Sequence, residues 1–151
     1  MTRGKTTGPG GQHRNKVSTA VQLTHTPTGL TASASERRSP AENERVALKR
    51  LRFVLAINHR IGVPVGDQRT DLWKQRCTKG QVRCSASHAD FPSLIAEALD
   101  MLDACGWDHN RASLRLDVTP SQLTKLVAKH TATFAHVNDQ RAHHGMRKLH
   151  A

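Results

Sequence analysis

The spacing of the apolar residues changes at Ser39, and that change limits the folds open to this chain. Before it, Ala20 to His25 and Leu30 to Ser35 alternate apolar and polar side chains with the two-residue period of a half-buried strand. Pro27-Thr28-Gly29 between them supplies turn residues, so the segments predict a β-hairpin with Val21 and Leu23 on one face and Gln22 and Thr24 on the other. After it, Ser39 reads as a helix cap, Pro40 as the first helical residue and Glu42 as the partner in a Ser-x-x-Glu capping box. The helix is expected to run to about Ala56, with Val46, Ala47, Leu51, Val54 and Leu55 inward and Arg45, Lys49, Arg50 and Arg52 on its polar side.

Residues 57–90 are rich in Gly, Pro, Ser and charge and are expected to form a basic linker or arm, with short strands near Ile61 to Val65 and Gln81 to Cys84. Trp73 sits among Lys74, Arg76 and Lys79; an anchor packed on a neighbouring helix is favoured over a stacking platform. From Phe91 the period is helical. Leu94, Ile95, Ala98, Leu99, Met101 and Leu102 form a stripe that ends near Gly106, a residue suited to the left-handed position after a helix. Asp108 caps a second helix carrying Ala112, Leu114 and Leu116, and Thr119-Pro120-Ser121-Gln122 opens a third, to about His130, with Leu123, Leu126 and Val127 buried. Residues 91–136 therefore predict a three-helix module resembling a helix-turn-helix, with Asp117 where a turn glycine is common, and residues 137–151 a basic, His-rich tail. The whole reads as α+β: a small N-terminal domain over residues 1–56, made of a loop, a β-hairpin and a long helix, followed by the all-α module.

The formal net charge of +11 with 3% aromatic residues points to a polyanionic partner gripped through phosphates more than through base stacking. Residues 1–60 hold eleven Lys/Arg against three Glu, a net of +8; residues 61–89 net +3 and residues 90–151 net zero. The nucleic-acid footprint is thus expected at the N-terminal end. Within the helical module, residues 90–117 net −4, a surplus that duplex phosphates repel, and the third helix is expected to expose only Ser121, Gln122, Thr124, Lys125 and Lys129. A three-helix packing module or a docking appendage is favoured there over reading DNA. Cys77, Cys84 and Cys105 are an odd number with no secretory signal ahead of them, which predicts a reducing, cytoplasmic setting without disulfides. With His88 and His109 they match no structural zinc spacing, so no metal is expected, and no apolar stretch reaches membrane-spanning length.

The run Gly8-Pro9-Gly10-Gly11-Gln12-His13-Arg14-Asn15-Lys16 is the candidate for chemistry. Consecutive glycines let a backbone approach a ligand without Cβ interference, and Gln12 presents a neutral amide with both donor and acceptor. Arg14 and Lys16 are placed to hold the loop against phosphates.

At these residues the chain resembles the catalytic domain of the class I peptide chain release factors. The likeness continues through Asn15-Lys16, Ser18 to Gly29-Leu30 with its His25-Thr26-Pro27-Thr28-Gly29 turn, then Glu36-Arg37-Arg38-Ser39, Asn43 and the basic helix, and covers roughly residues 3 to 56. The family places a strand before its loop, where only seven residues precede Gly8, and usually has Gln where Pro40 stands. The resemblance implies a ribosome-dependent peptidyl-tRNA hydrolase in which Gly10, Gly11 and Gln12 are catalytic, the Gln12 side chain is methylated by a glutamine methyltransferase, and no metal or organic cofactor is used. Its partners are the ribosomal RNA of the peptidyl transferase centre and the P-site peptidyl-tRNA. The helical module is then a packing module or a ribosome-docking appendage. Arg14, Lys16, Arg37, Arg38, Lys49, Arg50 and Arg52 are the expected RNA contacts, with solvation the competing reading for the helix residues. The length leaves no room for stop-codon-reading domains, and no codon-reading tripeptide is recognisable, so the expectation is a monomeric, codon-independent release or ribosome-rescue factor. The alternatives are a helix-turn-helix regulator of nucleic acid and a ribosome-binding protein without catalysis.

Overall fold

The computed structural model describes residues 19–151. The chain divides into two compact units, Met1–Leu55 and Ala56–Ala151.

In the first unit, β1 (Val21–Thr24) pairs antiparallel with β2 (Thr31–Ala34), Val21 opposite Ala34 and Thr24 opposite Thr31. The turn is closed by His25, whose N–H donates to the Leu30 carbonyl at 2.8 Å and whose carbonyl accepts from Gly29 N–H at 2.8 Å. Gly29 has φ of +70°, a conformation that favours glycine, and the His25 ring meets the Thr28 hydroxyl at 2.9 Å. Helix α1 (Pro40–Asn58) starts one residue after Ser39, whose carbonyl accepts from Asn43 N–H. Val21, Ala34 and Ala47 form the core, with Leu23 and Val46 packed on it, so the alternation in the strands and the three-to-four spacing in the helix converge on one small apolar cluster.

In the second unit, α2 (Asp71–Arg76) is capped by the Thr70 hydroxyl and leads into a ribbon of β3 (Cys77–Thr78) and β4 (Gln81–Val82). Four helices follow: α3 (Phe91–Ala104), α4 (His109–Leu116), α5 (Pro120–Ala128) and α6 (Thr131–His143). Their core holds Phe91, Leu94, Ile95, Leu99, Met101, Leu102, Leu116, Leu123, Leu126 and Val127, together with Trp73. Trp73 is the anchor its sequence context suggested: fully buried, it donates its indole N–H to the Leu116 carbonyl at 2.8 Å.

The ends of α3 and α4 use the same device. Trp107 N–H reaches the Leu102 carbonyl at 2.7 Å and Gly106 N–H reaches Asp103, with Gly106 at φ +63°. Val118 N–H reaches the Ser113 carbonyl and Asp117 N–H reaches Leu114, with Asp117 at φ +56°. Both are Schellman closures; at the second an aspartate takes the left-handed position glycine usually fills. Asp108 and Thr119 cap α4 and α5 with their side chains.

Four sequence expectations change. Residues 61–65 form no strand, because Ile61 N–H is taken by Asp100, Pro64 has no N–H, and Ile61 and Val65 are exposed. The second predicted strand is shortened to Gln81–Val82 and paired in the ribbon. Thr124 is buried, its hydroxyl donating to the Pro120 carbonyl, so α5 exposes less than its sequence suggests. The helices do not stop at three: α6 covers part of the expected tail, with His130 as its cap and Arg141 buried, donating to the Trp107 and Arg147 carbonyls.

Two histidines of this unit carry a pH dependence. Burial, reinforced by Arg60 and opposed by Asp139, lowers the His136 pKa, and burial with Arg141, opposed by Asp108, lowers that of His109. The folded chain therefore takes up these protons less readily than the unfolded chain. Their share of stability is complete above the ordinary histidine value and is lost as pH falls from there through the depressed folded values. We predict a lower melting temperature at about pH 5 than at about pH 7, with a smaller drop in His136→Gln than in the parent. An equal drop in both would remove His136 from the account.

Candidate functional site

Gly10, Gly11, Gln12, Arg14 and Lys16 lie outside the described residues. What the structure supplies is the framework next to them in sequence. Thr19, seven residues after Gln12, is tied to α1 by Asn43, whose side-chain N–H donates to the Thr19 carbonyl at 2.6 Å. The same amide donates to the Arg37 carbonyl at 2.9 Å and accepts from Arg37 N–H at 2.9 Å. Asn43 is wholly buried, so one side chain satisfies polar backbone groups before β1 and after β2.

Asn43→Ala leaves those backbone groups without their partner. We predict a loss of about 2–4 kcal/mol from the first unit, read by denaturant unfolding followed in the far-ultraviolet. Wild-type stability in that variant would show the clasp to be dispensable.

The basic residues divide by what they touch. Arg37 and Arg38 are exposed on the connection between β2 and α1, and Arg37 has its backbone fixed by Asn43. Lys49 is exposed on α1, and Arg45, one turn earlier, is an exposed basic position absent from the expected RNA contacts. Arg50 is half exposed but occupied: it donates to the Ser33 carbonyl at 2.7 Å and pairs with Glu36. The carboxyl of Glu36 is held below its ordinary pKa, chiefly by its own backbone N–H and that of Ser35, with Arg50 adding to them. Arg52 is only partly exposed. Among the described residues, Arg37, Arg38, Arg45 and Lys49 are thus exposed positive charges near the clasp in no ion pair, while Arg50 ties helix to hairpin. Asn43 was legible as a residue type but not as a clasp, since its partners lie 24 and 6 positions away.

In the second unit, Asp100 accepts from Arg60 at 2.9 Å and from Ile61 N–H at 3.1 Å, and Arg60 also donates to the Ala56 carbonyl. Burial raises the Asp100 pKa and lowers that of Arg60, as expected for a partly desolvated pair. Burial likewise raises the thiols of Cys77 and Cys84, away from reactive thiolate. Among the described residues no helix is long and apolar enough to cross a membrane.

Compared with known proteins, residues 2–88 match the family model described as the RF-1 domain. The match extends beyond the first 56 residues and takes in α2 and the β3–β4 ribbon. Peptide chain release factor 1 of Chlorobaculum tepidum is 35% identical over 88 residues, which is 56% of this chain and 23% of that protein. Peptide chain release factor 1 of Chloroherpeton thalassium is 46% identical over 88 residues, with the same coverage. Peptide chain release factor 2 of Variovorax paradoxus is 50% identical over 48 residues, 32% of this chain and 13% of that protein. The chain spans less than a quarter of the length of these curated relatives. No solved structure matches.

Proposed function

Because the chain belongs to the RF-1 domain family, we propose that it releases nascent peptides from the ribosome by hydrolysing the peptidyl-tRNA ester in the P site, without reading a stop codon. The observation that carries this reading is that Gly10-Gly11-Gln12 and the basic positions after it fall within the matched residues 2–88. In this reading water attacks the ester carbonyl carbon, the bond to the tRNA ribose oxygen breaks, and that oxygen regains a proton. Gln12 acts as neither nucleophile nor base. Its backbone N–H stabilises the negative charge that develops on the carbonyl oxygen, and its side chain shapes a space for water. The ribosome and the terminal ribose supply the remaining groups, so the proposed reaction uses no cofactor.

Arg14, Lys16, Arg37, Arg38 and Lys49 would position the domain on ribosomal RNA, with Arg50 and Arg52 in supporting places. We further propose a cytoplasmic monomer whose Gln12 is methylated by a glutamine methyltransferase. The first unit would form its catalytic part, and the second, with α2, the ribbon and helices α3 to α6, a separate helical module.

Codon independence is tested with ribosomes holding labelled peptidyl-tRNA on messages that end in the P site, place a sense codon in the A site, or place a stop codon there. The reading expects release that does not require the stop codon. Release confined to the stop-codon complexes would replace it with ordinary termination.

A further inference from the structure

The β3–β4 ribbon lies along α5 and is fixed to it at both ends. Thr119 N–H, at the start of α5, donates to the Gly80 carbonyl at 3.3 Å, and Lys129, just past its end, donates to the Cys84 carbonyl at 2.8 Å. Val82 and Cys84 turn inward, while Lys79, Gln81 and Arg83 are exposed on the ribbon and Ser121, Lys125 and Lys129 on α5 and its end. Residues 72–89 and 118–138 contain no Asp or Glu, so the strip is built from two acid-free stretches of sequence. Among the described residues, Lys79, Arg83, Lys125 and Lys129 pair with no carboxylate, as is also true of Arg111, Arg115, Arg141, Arg147 and Lys148, whereas Arg60, Arg69, Lys74 and Arg76 all do. The strip is where four such cations fall on two adjacent acid-free segments.

The tip of the ribbon adds a second observation. Lys79 and Gly80 are the two loop residues between the paired Thr78 and Gln81, with φ of +50° and +73°. That turn needs left-handed conformations that Asn and Gly adopt more readily than Lys. A lysine occupies that position despite its backbone cost, at the point where the ribbon meets the start of α5.

We infer that the ribbon and α5 form an RNA-docking surface of the second unit, gripping the phosphates of a duplex through Lys79, Arg83 and Lys125, with Lys129 at its end. Cations without acidic partners suit a polyanion of regular charge spacing. Residues 77–84 and 119–129, which make up the strip, contain no Phe, Trp or Tyr, which leaves it no large aromatic platform of its own for unstacked bases and favours a paired backbone. With Thr124 buried and Lys129 bound to the ribbon, α5 does not present the polar row that reads base edges. The choice of RNA rests on the release-factor reading; the phosphate grip does not.

The test measures binding of the full chain to a duplex RNA of about 16 base pairs across a salt series, a span that suits shape-based duplex recognition. It compares wild type, the triple variant Lys79→Gln/Arg83→Gln/Lys125→Gln, and a control that removes exposed charge from α4, Arg111→Gln. Circular dichroism and melting temperature establish that each variant is folded, and a Lys79→Arg/Lys125→Arg variant keeps the charges in altered side chains. We expect the triple variant to bind at least about tenfold more weakly and to lose about one unit of salt slope per phosphate contact removed, with Arg111→Gln and the arginine variant near wild type. Unchanged affinity and slope in the triple variant would overturn the proposal, as would an equal loss in Arg111→Gln. A loss seen against duplex DNA but not duplex RNA would overturn the choice of RNA, and a loss seen only against polyglutamate would assign the strip to an acidic protein. Because naked RNA is the ligand, the result stands whether or not the chain releases peptide.

Discussion

Gly11→Ala is expected to lower peptide release by a factor of about 10² to 10³, close to the effect of Gln12→Ala, although it adds one methyl group and removes no functional group. In the proposed mechanism the Gln12 N–H must point at the position the developing oxyanion occupies. Gly10-Gly11 gives the chain access to backbone conformations that a Cβ disfavours. An alanine at Gly11 both penalises left-handed φ values and adds bulk where the loop would approach the ester. Removing one donor from such a hole typically costs about 3–4 kcal/mol of transition-state stabilisation, which sets the scale of the loss. Single-turnover release at saturating protein separates this from weakened ribosome binding. Gly11→Ala releasing as fast as wild type would show that the loop needs no glycine at that place.

Trp73→Ala is expected to lower the stability of the second unit by about 3–5 kcal/mol, enough to unfold a marginal domain at moderate temperature. Trp73 is the largest buried side chain to come from the segment before α3, and its indole N–H is committed to Leu116, the last residue of α4. The substitution removes that packing and leaves the Leu116 carbonyl without this donor. Trp73→Phe keeps most of the apolar contact and loses the hydrogen bond, so it should fall between the two. Urea unfolding of the three proteins tests the order. A Trp73→Ala protein within about 1 kcal/mol of wild type would mean that α2 contributes little to the unit.

The elements legible in the sequence were those whose signals are local. Alternation around Pro27-Thr28-Gly29 located the hairpin, Ser39-Pro40 placed the start of α1, and Asp108, Thr119 and Gly106 marked helix boundaries through side chains or backbone freedom acting within a few residues. Helix α6 escaped because its cap is His130, an unconventional one, and because its inward face is Thr133, Val137 and Arg141, which carries a single buried aliphatic side chain. The ribbon was only partly legible, since two residues per strand are too few to show a period and a Lys-Gly loop is an uncommon hairpin turn.

The candidate loop was legible for a different reason: its residue types and their order carry a family resemblance that needs no tertiary information. The clasp beside it was not. Asn43 acts by reaching Thr19 and Arg37 across the fold, and Arg50, which sequence placed with the RNA contacts, spends its guanidinium on Ser33 and Glu36. A charged side chain's sequence position does not disclose whether its charge is already satisfied.

The most direct test of the central claim is release of labelled peptide from ribosomes carrying P-site peptidyl-tRNA, measured for the wild-type chain and for Gln12→Ala at equal ribosome occupancy. The account predicts release by the wild type and a loss of about a hundredfold in the variant, which keeps the backbone N–H but loses the side chain that positions the water. Equal release by both proteins, or none by a wild-type chain shown to be bound to the ribosome, would contradict it.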